Sequence, residues 1–377
     1  MKEIQMVDLK SQYEKIAPEI DPAIKLVLKS AAFIRGKDVT LFEEELAKYM
    51  GIRNVISCAN GTDALQIAMM ALGLKPGDEV ITTNFTFVAT VEVVALLGLK
   101  LVLVDPDPDT FNMTAEAVRK AITPRTRAIV PVHLFGQCVD MEDIMKLAKQ
   151  HNIFVIEDAA QATGADYIFT DGSRRKAGTM GHIGATSFFP SKNLGCYGDG
   201  GALYTNDDDL AKKLRSITNH GMKIRYYHND IGVNSRLDTL QAAILRVKLK
   251  YLTQYNSARK SVADFYDGAL AGSPFITVPE RTAYSSHIFH QYTIKLKNGR
   301  RDDLKKFLES VNIPAMIYYP VPLHVQEAYK YLGYKESEFP VTSALSKDVL
   351  SLPIHPDFEQ EQLDYIVLNI LKFFEKQ

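Results

Sequence analysis

Residues 79–106 read EVITTNFTFVATVEVVALLGLKLVLVDP. The run at 79–82 predicts a short strand, 89–97 a helix, and the Val/Leu-rich run at 100–104 a second strand that stops at Asp105-Pro106. The same alternation extends to both sides. Residues 63–74 have helical periodicity, 115–121 predict a helix, 128–132 a strand, 140–149 a helix and 154–157 a buried strand. Strands alternating with helices at this spacing pack as a largely parallel sheet covered by helices. In such an α/β fold, ligands gather in the loops beyond the strand ends.

After Asp238 the pattern changes. Leu240, Ile244, Val247 and Tyr251 stand at helical spacing, and one long interdomain helix is expected through about Phe265. Beyond it, 291–296 and 313–317 read as strands, 302–309 as a helix, and the last stretch through Phe374 as an amphipathic helix. A chain of 377 residues is long enough for two domains. The change of pattern divides it into a large α/β domain, 1–254, and a smaller α+β domain, 255–377.

A hydrophobic content of 46% and a charged content of 24% are those of an ordinary globular enzyme. The formal net charge of -1, with both signs interspersed, leaves no footprint for nucleic acid or an anionic membrane. The first ten residues alternate charge with apolar side chains, so no signal peptide is expected. The longest apolar runs are too short to cross a bilayer, and a cytoplasmic protein is expected. Cys58, Cys138 and Cys196 are isolated and odd in number, which predicts free thiols in a reducing compartment. His220 and His228 form no metal pattern with nearby acids, and no catalytic metal is expected.

Lys192 lies in ATSFFPSKNLGCYGDGG, residues 185–201, where an apolar run ends in one amine followed by a glycine-dense loop. Partial burial lowers a lysine's pKa and makes its amine a nucleophile toward an aldehyde. A solvated lysine in a turn has the same local sequence, so the assignment rests on companions. Asn60-Gly61-Thr62-Asp63 opens a predicted helix. Unpaired N–H groups and the helix dipole there favour a phosphate, while a plain cap uses the same residues. Asp158 ends the strand at 154–157; it is placed either to keep a pyridinium nitrogen protonated or simply to cap a turn. Phe87, in a loop after a strand, either stacks on a flat cofactor or fills the core. His133 reads as a hydrogen-bonded strand-end histidine.

Four loops resemble, in order, the sugar aminotransferases of the DegT/StrS family, a branch of the fold-type I pyridoxal phosphate enzymes. They are NGTDA at 60–64, NFTFVAT at 84–90, EDAAQ at 157–161 and SFFPSKNLG at 187–195. GDGG at 198–201, GVNSRLD at 232–238 and YYPVPLH at 318–324 extend the likeness over nearly the whole chain. The resemblance implies a large domain with a mostly parallel central sheet, a smaller C-terminal α+β domain, and pyridoxal 5'-phosphate as cofactor. It implies that Lys192 forms the Schiff base, Asp158 pairs with the pyridine nitrogen, and Gln161 contacts the ring's phenolic oxygen. Phe87 would stack on the ring, and Gly61, Thr62 and Ser187 would bind the phosphate. Asn234 would reach the cofactor phosphate of a neighbouring subunit, implying a homodimer with active sites at the interface. Phe189 departs from the family, in which tyrosine is common at that position.

Residues 219–228, NHGMKIRYYH, combine cations and tyrosines suited to a diphosphate and a uracil, and equally suited to a solvated loop. RYYH followed by GVNSR resembles the subgroup that aminates UDP-2-acetamido-2-deoxy-3-oxo-glucuronate at C3 for surface polysaccharides such as O-antigen. L-Glutamate is the amino donor that the resemblance implies. Arg236 is suited to a bidentate pairing with the uronate carboxylate, Arg225 is its rival, and His324 would approach the sugar. The freed lysine would move a proton from the donor's Cα to C4′ of the cofactor, with ping-pong kinetics. Two other readings stay open: a C4 aminotransferase acting on a nucleotide-linked 4-keto-6-deoxy sugar, and a non-catalytic pyridoxal phosphate-binding regulatory protein.

Overall fold

The computed structural model describes residues 2–375. Two helices, α1 (Leu9–Ser30) and α2 (Lys37–Met50), lead into β1 (Asn54–Cys58). Alternation then follows: α3 (Gly61–Ala71), β2 (Glu79–Thr83), α4 (Ala89–Leu96), β3 (Lys100–Val104), α5 (Ala115–Ala121), β4 (Thr126–Val130), α6 (Met141–His151) and β5 (Phe154–Asp158). A hairpin, β6 (Asp166–Ile168) and β7 (Arg174–Lys176), precedes β8 (Ile183–Ser187) and β9 (Gly201–Thr205). After α7 (Asp208–Ile217) comes a second hairpin, β10 (Met222–Ile224) and β11 (Tyr227–His228), then α8 (Thr239–Leu249) and α9 (Leu252–Leu270). The chain closes with β12 (Ile276–Thr277), β13 (Tyr292–Leu296), α10 (Arg301–Ser310), α11 (Pro340–Asp348), β14 (Val349–Leu352) and α12 (Gln360–Glu375).

The central sheet has seven strands in the order β1-β9-β8-β5-β4-β2-β3. From β3 to β8 all neighbours are parallel, and only β9 runs antiparallel to those beside it. The segment 79–106 is therefore the strand–helix–strand unit its pattern predicts, with β2 and β3 paired from Glu79–Lys100 to Thr83–Val104. Helices pack on the sheet because its strands are apolar on both faces: Val80, Ile81, Ile129, Val130, Val155 and Ile156 are all fully enclosed.

The carboxyl-terminal region has its own three-stranded antiparallel sheet, β12-β13-β14. Its apolar core runs from Val262 to Phe373, and Ile4 from the amino terminus joins it. Two expectations are corrected. The single helix through Phe265 is two helices, because the end of α8 tightens into bonds from Lys250 and Tyr251 back to Val247 and Lys248. Residues 313–317 form no strand. Pro314 has no N–H to donate, and pairing reduces to one bridge between Met316 and Ser351. Among the described residues no helix is long and apolar enough to cross a membrane, and the three cysteines are free and buried.

Candidate active site

A cavity of about 600 Å³ opens where β2, β4, β5 and β8 end, lined by Gly61, Thr62, Phe87, Asp158, Gln161, Ser187 and Lys192. These seven positions are contributed by four separate loops. Parallel strands explain the convergence, since the chain leaves each of them at its carboxyl end, on the same side of the sheet.

One wall is an anion cradle. Asn60 caps α3, accepting from the Asp63 N–H at 2.8 Å, while the Ala64 N–H closes onto the Asn60 carbonyl at 3.1 Å. The N–H groups of Gly61 and Thr62, in the first turn, have no acceptor within the helix. A Cβ added to Gly61 would come within 2.7 Å of Ser187 Cβ, so only glycine lets the helix start approach the end of β8. The result is a helix N-terminus facing a serine hydroxyl, an arrangement that favours an anion.

Lys192 lines the same cavity, half-buried. Its loop folds back on itself: the Lys192 N–H donates to the Phe189 carbonyl at 2.8 Å and the Cys196 N–H to that of Phe188 at 2.8 Å. Gly195 permits the reversal, because a Cβ there would lie 2.3 Å from the Pro190 carbonyl oxygen. Burial pulls the amine down to about 8, against the opposing pull of the Asp158 carboxylate.

Asp158, 6% exposed, is fixed by its surroundings. One carboxylate oxygen accepts from the Thr90 hydroxyl at 2.8 Å and the other from the Ala160 N–H at 3.1 Å. Its backbone is tied to β4, with its N–H on the Pro131 carbonyl at 2.9 Å and its carbonyl taking the His133 N–H at 3.0 Å. Gln161 accepts from the Phe135 N–H at 2.8 Å, which turns its amide nitrogen toward Tyr319 Oη at 3.1 Å. Phe87 is 55% exposed, an unusual state for a phenylalanine, and its ring leans against that of Tyr319 with centroids 6.4 Å apart. His133 is structural, held between Glu157 at 2.8 Å and the Val139 N–H at 3.1 Å.

The other anticipated residues lie elsewhere. Arg225 and Arg236 line a second cavity, of about 910 Å³, with Arg35, Lys212, Arg215 and Lys223. Burial, then repulsion from Arg236, lowers the Arg35 guanidinium below its ordinary value, against the opposing pull of Glu43 in the same lining. Asn234 is exposed and forms an isolated bridge with Asn219. His324 is buried outside the Lys192 cavity. Asn84 fixes it, accepting from the His324 N–H at 3.1 Å and donating its amide to Nδ1 at 2.7 Å. The ring proton therefore sits on Nε2, which has no partner.

Three residues at the site had no reading in the sequence: Thr90, Tyr319 and His290. His290 lines the cavity, and burial, then the charges of Lys192 and Arg259, holds it well below its usual value and therefore neutral. Tyr319 lies inside YYPVPLH, the same motif from which His324 was drawn, so a signal was present. Thr90 sits in the first turn of α4, inside the apolar run ATVEVVAL, where nothing local distinguishes it from core.

Fold and site together define the aminotransferase class of large α/β enzymes, in which a strand-end acid, a lysine and an anion cradle share one cavity. The chain belongs to the DegT/DnrJ/EryC1/StrS aminotransferase family, whose model matches residues 14–371. It is 46% identical over 367 residues, 96% of this chain and 98% of that one, to the UDP-2-acetamido-2-deoxy-3-oxo-D-glucuronate aminotransferase of Pseudomonas aeruginosa. It is also 46% identical over 373 residues, 98% of each chain, to a pleiotropic regulatory protein of Geobacillus stearothermophilus. The crystal structure of Streptomyces venezuelae DesV in complex with a ketimine intermediate superposes with a TM-score of 0.95 at 39% identity, covering 99% of both chains.

Proposed function

We propose that the protein is a pyridoxal phosphate-dependent aminotransferase that moves an amino group from L-glutamate to a UDP-linked 3-keto sugar, UDP-2-acetamido-2-deoxy-3-oxo-glucuronate. The observation that carries the reading is a lysine amine lowered to about 8 in the same cavity as a buried, doubly hydrogen-bonded aspartate. The family's cofactor fits these residues: the cradle of Gly61, Thr62 and Ser187 suits its phosphate, and the exposed Phe87 suits its flat ring. Bound there, pyridoxal phosphate supplies an aldehyde that carries the amino group and a ring that accepts electrons.

The chain's own residues do the rest. Lys192 Nζ would hold the cofactor's aldehyde, and its amine, lowered to about 8, would serve as the base that takes the proton from the donor's Cα. Asp158 holds the charge of the ring nitrogen, and Gln161, turned by Phe135 and Tyr319, offers a second amide hydrogen to the phenolic oxygen. Half-buried Tyr319 and buried His290 line that side of the cavity and limit the access of water.

The substrate assignment rests on likeness to the Pseudomonas enzyme and on the arginine-lined cavity, which suits a diphosphate and a carboxylate. The site reads as shared between two copies of the chain. Asn234 and Arg225 lie exposed and do not line the Lys192 cavity of their own chain, and the 224–231 segment also exposes Ile224, Tyr226, Tyr227 and Ile231. A homodimer that places this surface over a partner's cavity gives those residues their expected roles.

A second reading, a pyridoxal phosphate-binding regulator without turnover, is favoured by the name of the Geobacillus relative. The experiment that separates them is turnover of the purified protein with L-glutamate and the UDP-3-keto uronate, beside a nucleotide-linked 4-keto-6-deoxy sugar. Amination of the uronate supports the proposal. Amination of the 4-keto sugar alone supports the C4 alternative, and a yellow protein that turns over neither supports the regulator.

A further inference from the structure

Asp158 lies 6% exposed at the end of β5, and both of its oxygens are held. The Ala160 N–H, two residues along the chain, takes one at 3.1 Å. The other accepts from the Thr90 hydroxyl at 2.8 Å, a bond spanning 68 residues and joining α4 to β5. Thr90 is itself 1% exposed, so the bond has no competition from solvent.

A hydroxyl has one hydrogen. Because Thr90 spends it on Asp158, the 3.5 Å contact between the Thr86 and Thr90 hydroxyls has one polarity, with Thr86 donating. Thr86 is 2% exposed and also lines the Lys192 cavity. The two threonines form a directed chain ending on the carboxylate. A carboxylate offers about four lone-pair directions, so two donors leave room for a third from a ligand.

We propose that Thr90 is a positioning residue: its hydroxyl fixes the Asp158 carboxylate in the direction in which it keeps the cofactor's ring nitrogen protonated. This rests on the pyridoxal phosphate reading above. Thr90 touches neither cofactor nor substrate, and it acts only through Asp158.

Thr90→Val keeps the shape of the side chain and removes the donor, leaving one oxygen of a buried carboxylate without a protein partner. Thr90→Ser restores the donor. Each purified protein is loaded with pyridoxal phosphate carrying 15N in the ring, and the nitrogen resonance is followed from pH 6 to 9, roughly the range in which enzymes work. Thermal melting of each variant checks folding. In the wild type and Thr90→Ser the resonance stays at the protonated position. In Thr90→Val it moves toward the unprotonated position, and kcat falls roughly ten- to a hundredfold with KM for the amino donor little changed, the scale of one hydrogen bond to a charged group. An unmoved resonance in Thr90→Val overturns the inference, even if activity falls, because a merely structural role leaves the ring nitrogen as it was. If the wild type itself takes up no cofactor, the functional reading fails instead.

Discussion

The lowered pKa of Lys192 makes a prediction about the cofactor-free protein. The gap between the ordinary 10.5 and about 8 corresponds to about 3 kcal/mol in favour of the neutral amine. At pH 7 it raises the neutral, nucleophilic fraction roughly three-hundredfold. Burial is the larger cause and Asp158 opposes it. Replacing Asp158 by Asn therefore moves the amine further down, not up. Competitive labelling with a neutral amine-directed reagent across about pH 6 to 11, followed by peptide mapping, reads the titration of Lys192 against solvated lysines such as Lys120. The expected midpoint is about 8 for the wild type, and below that for Asp158→Asn. The same group sets a stability slope. The unfolded chain binds the extra proton between about 8 and 10.5, so through this group the apoprotein gains stability as pH rises across that window. Lys192→Met abolishes that gain. A midpoint near 10.5, or an upward move in Asp158→Asn, would refute the reasoning.

Other substitutions probe other parts of the account. Gly61→Ala puts a methyl group 2.7 Å from Ser187 Cβ; it should cost about 1–3 kcal/mol in urea unfolding and weaken cofactor binding at least about tenfold by absorbance titration. Lys192→Ala and Asn234→Ala are each expected to be inactive, but mixing and reassembling them should restore about a quarter of wild-type activity, because half of the dimers then carry one intact shared site. No regain would place Asn234 outside the partner's site. Arg236→Ala should raise KM for the uronate roughly ten- to a hundredfold while sparing a neutral sugar, and equal losses on both sugars would move the carboxylate contact to another residue.

How far the sequence reaches depends on the range of the signal. The strand–helix–strand unit at 79–106 was legible because its apolar runs are short, bounded and alternate in type. The loops bearing Gly61, Phe87, Asp158, Gln161, Ser187 and Lys192 were legible as motifs, and the structure gathers all of them around one cavity. Helix α1 was not read, since Pro18 and Pro22 lie inside it and proline ordinarily ends a helix. The break between α8 and α9 carries no proline or glycine, and apolar periodicity runs through it from Leu249 to Leu252. The Thr90–Asp158 bond joins residues 68 apart on different elements, a partnership no local pattern encodes. Arg225, Arg236 and Asn234 stand in polar loops and do not line the Lys192 cavity of their own chain.

The claim on which the rest depends is that Lys192 anchors the cofactor. The chain offers a natural control in Lys248, also lowered to about 8, but 1% exposed where Lys192 is half-buried, and lying over the Tyr197 ring. Borohydride reduction of the pyridoxal phosphate-loaded protein, followed by peptide mass mapping, should place the phosphopyridoxyl group on the peptide containing Lys192 and on no other. A label on Lys248 or another lysine, or no label at all, would contradict the account.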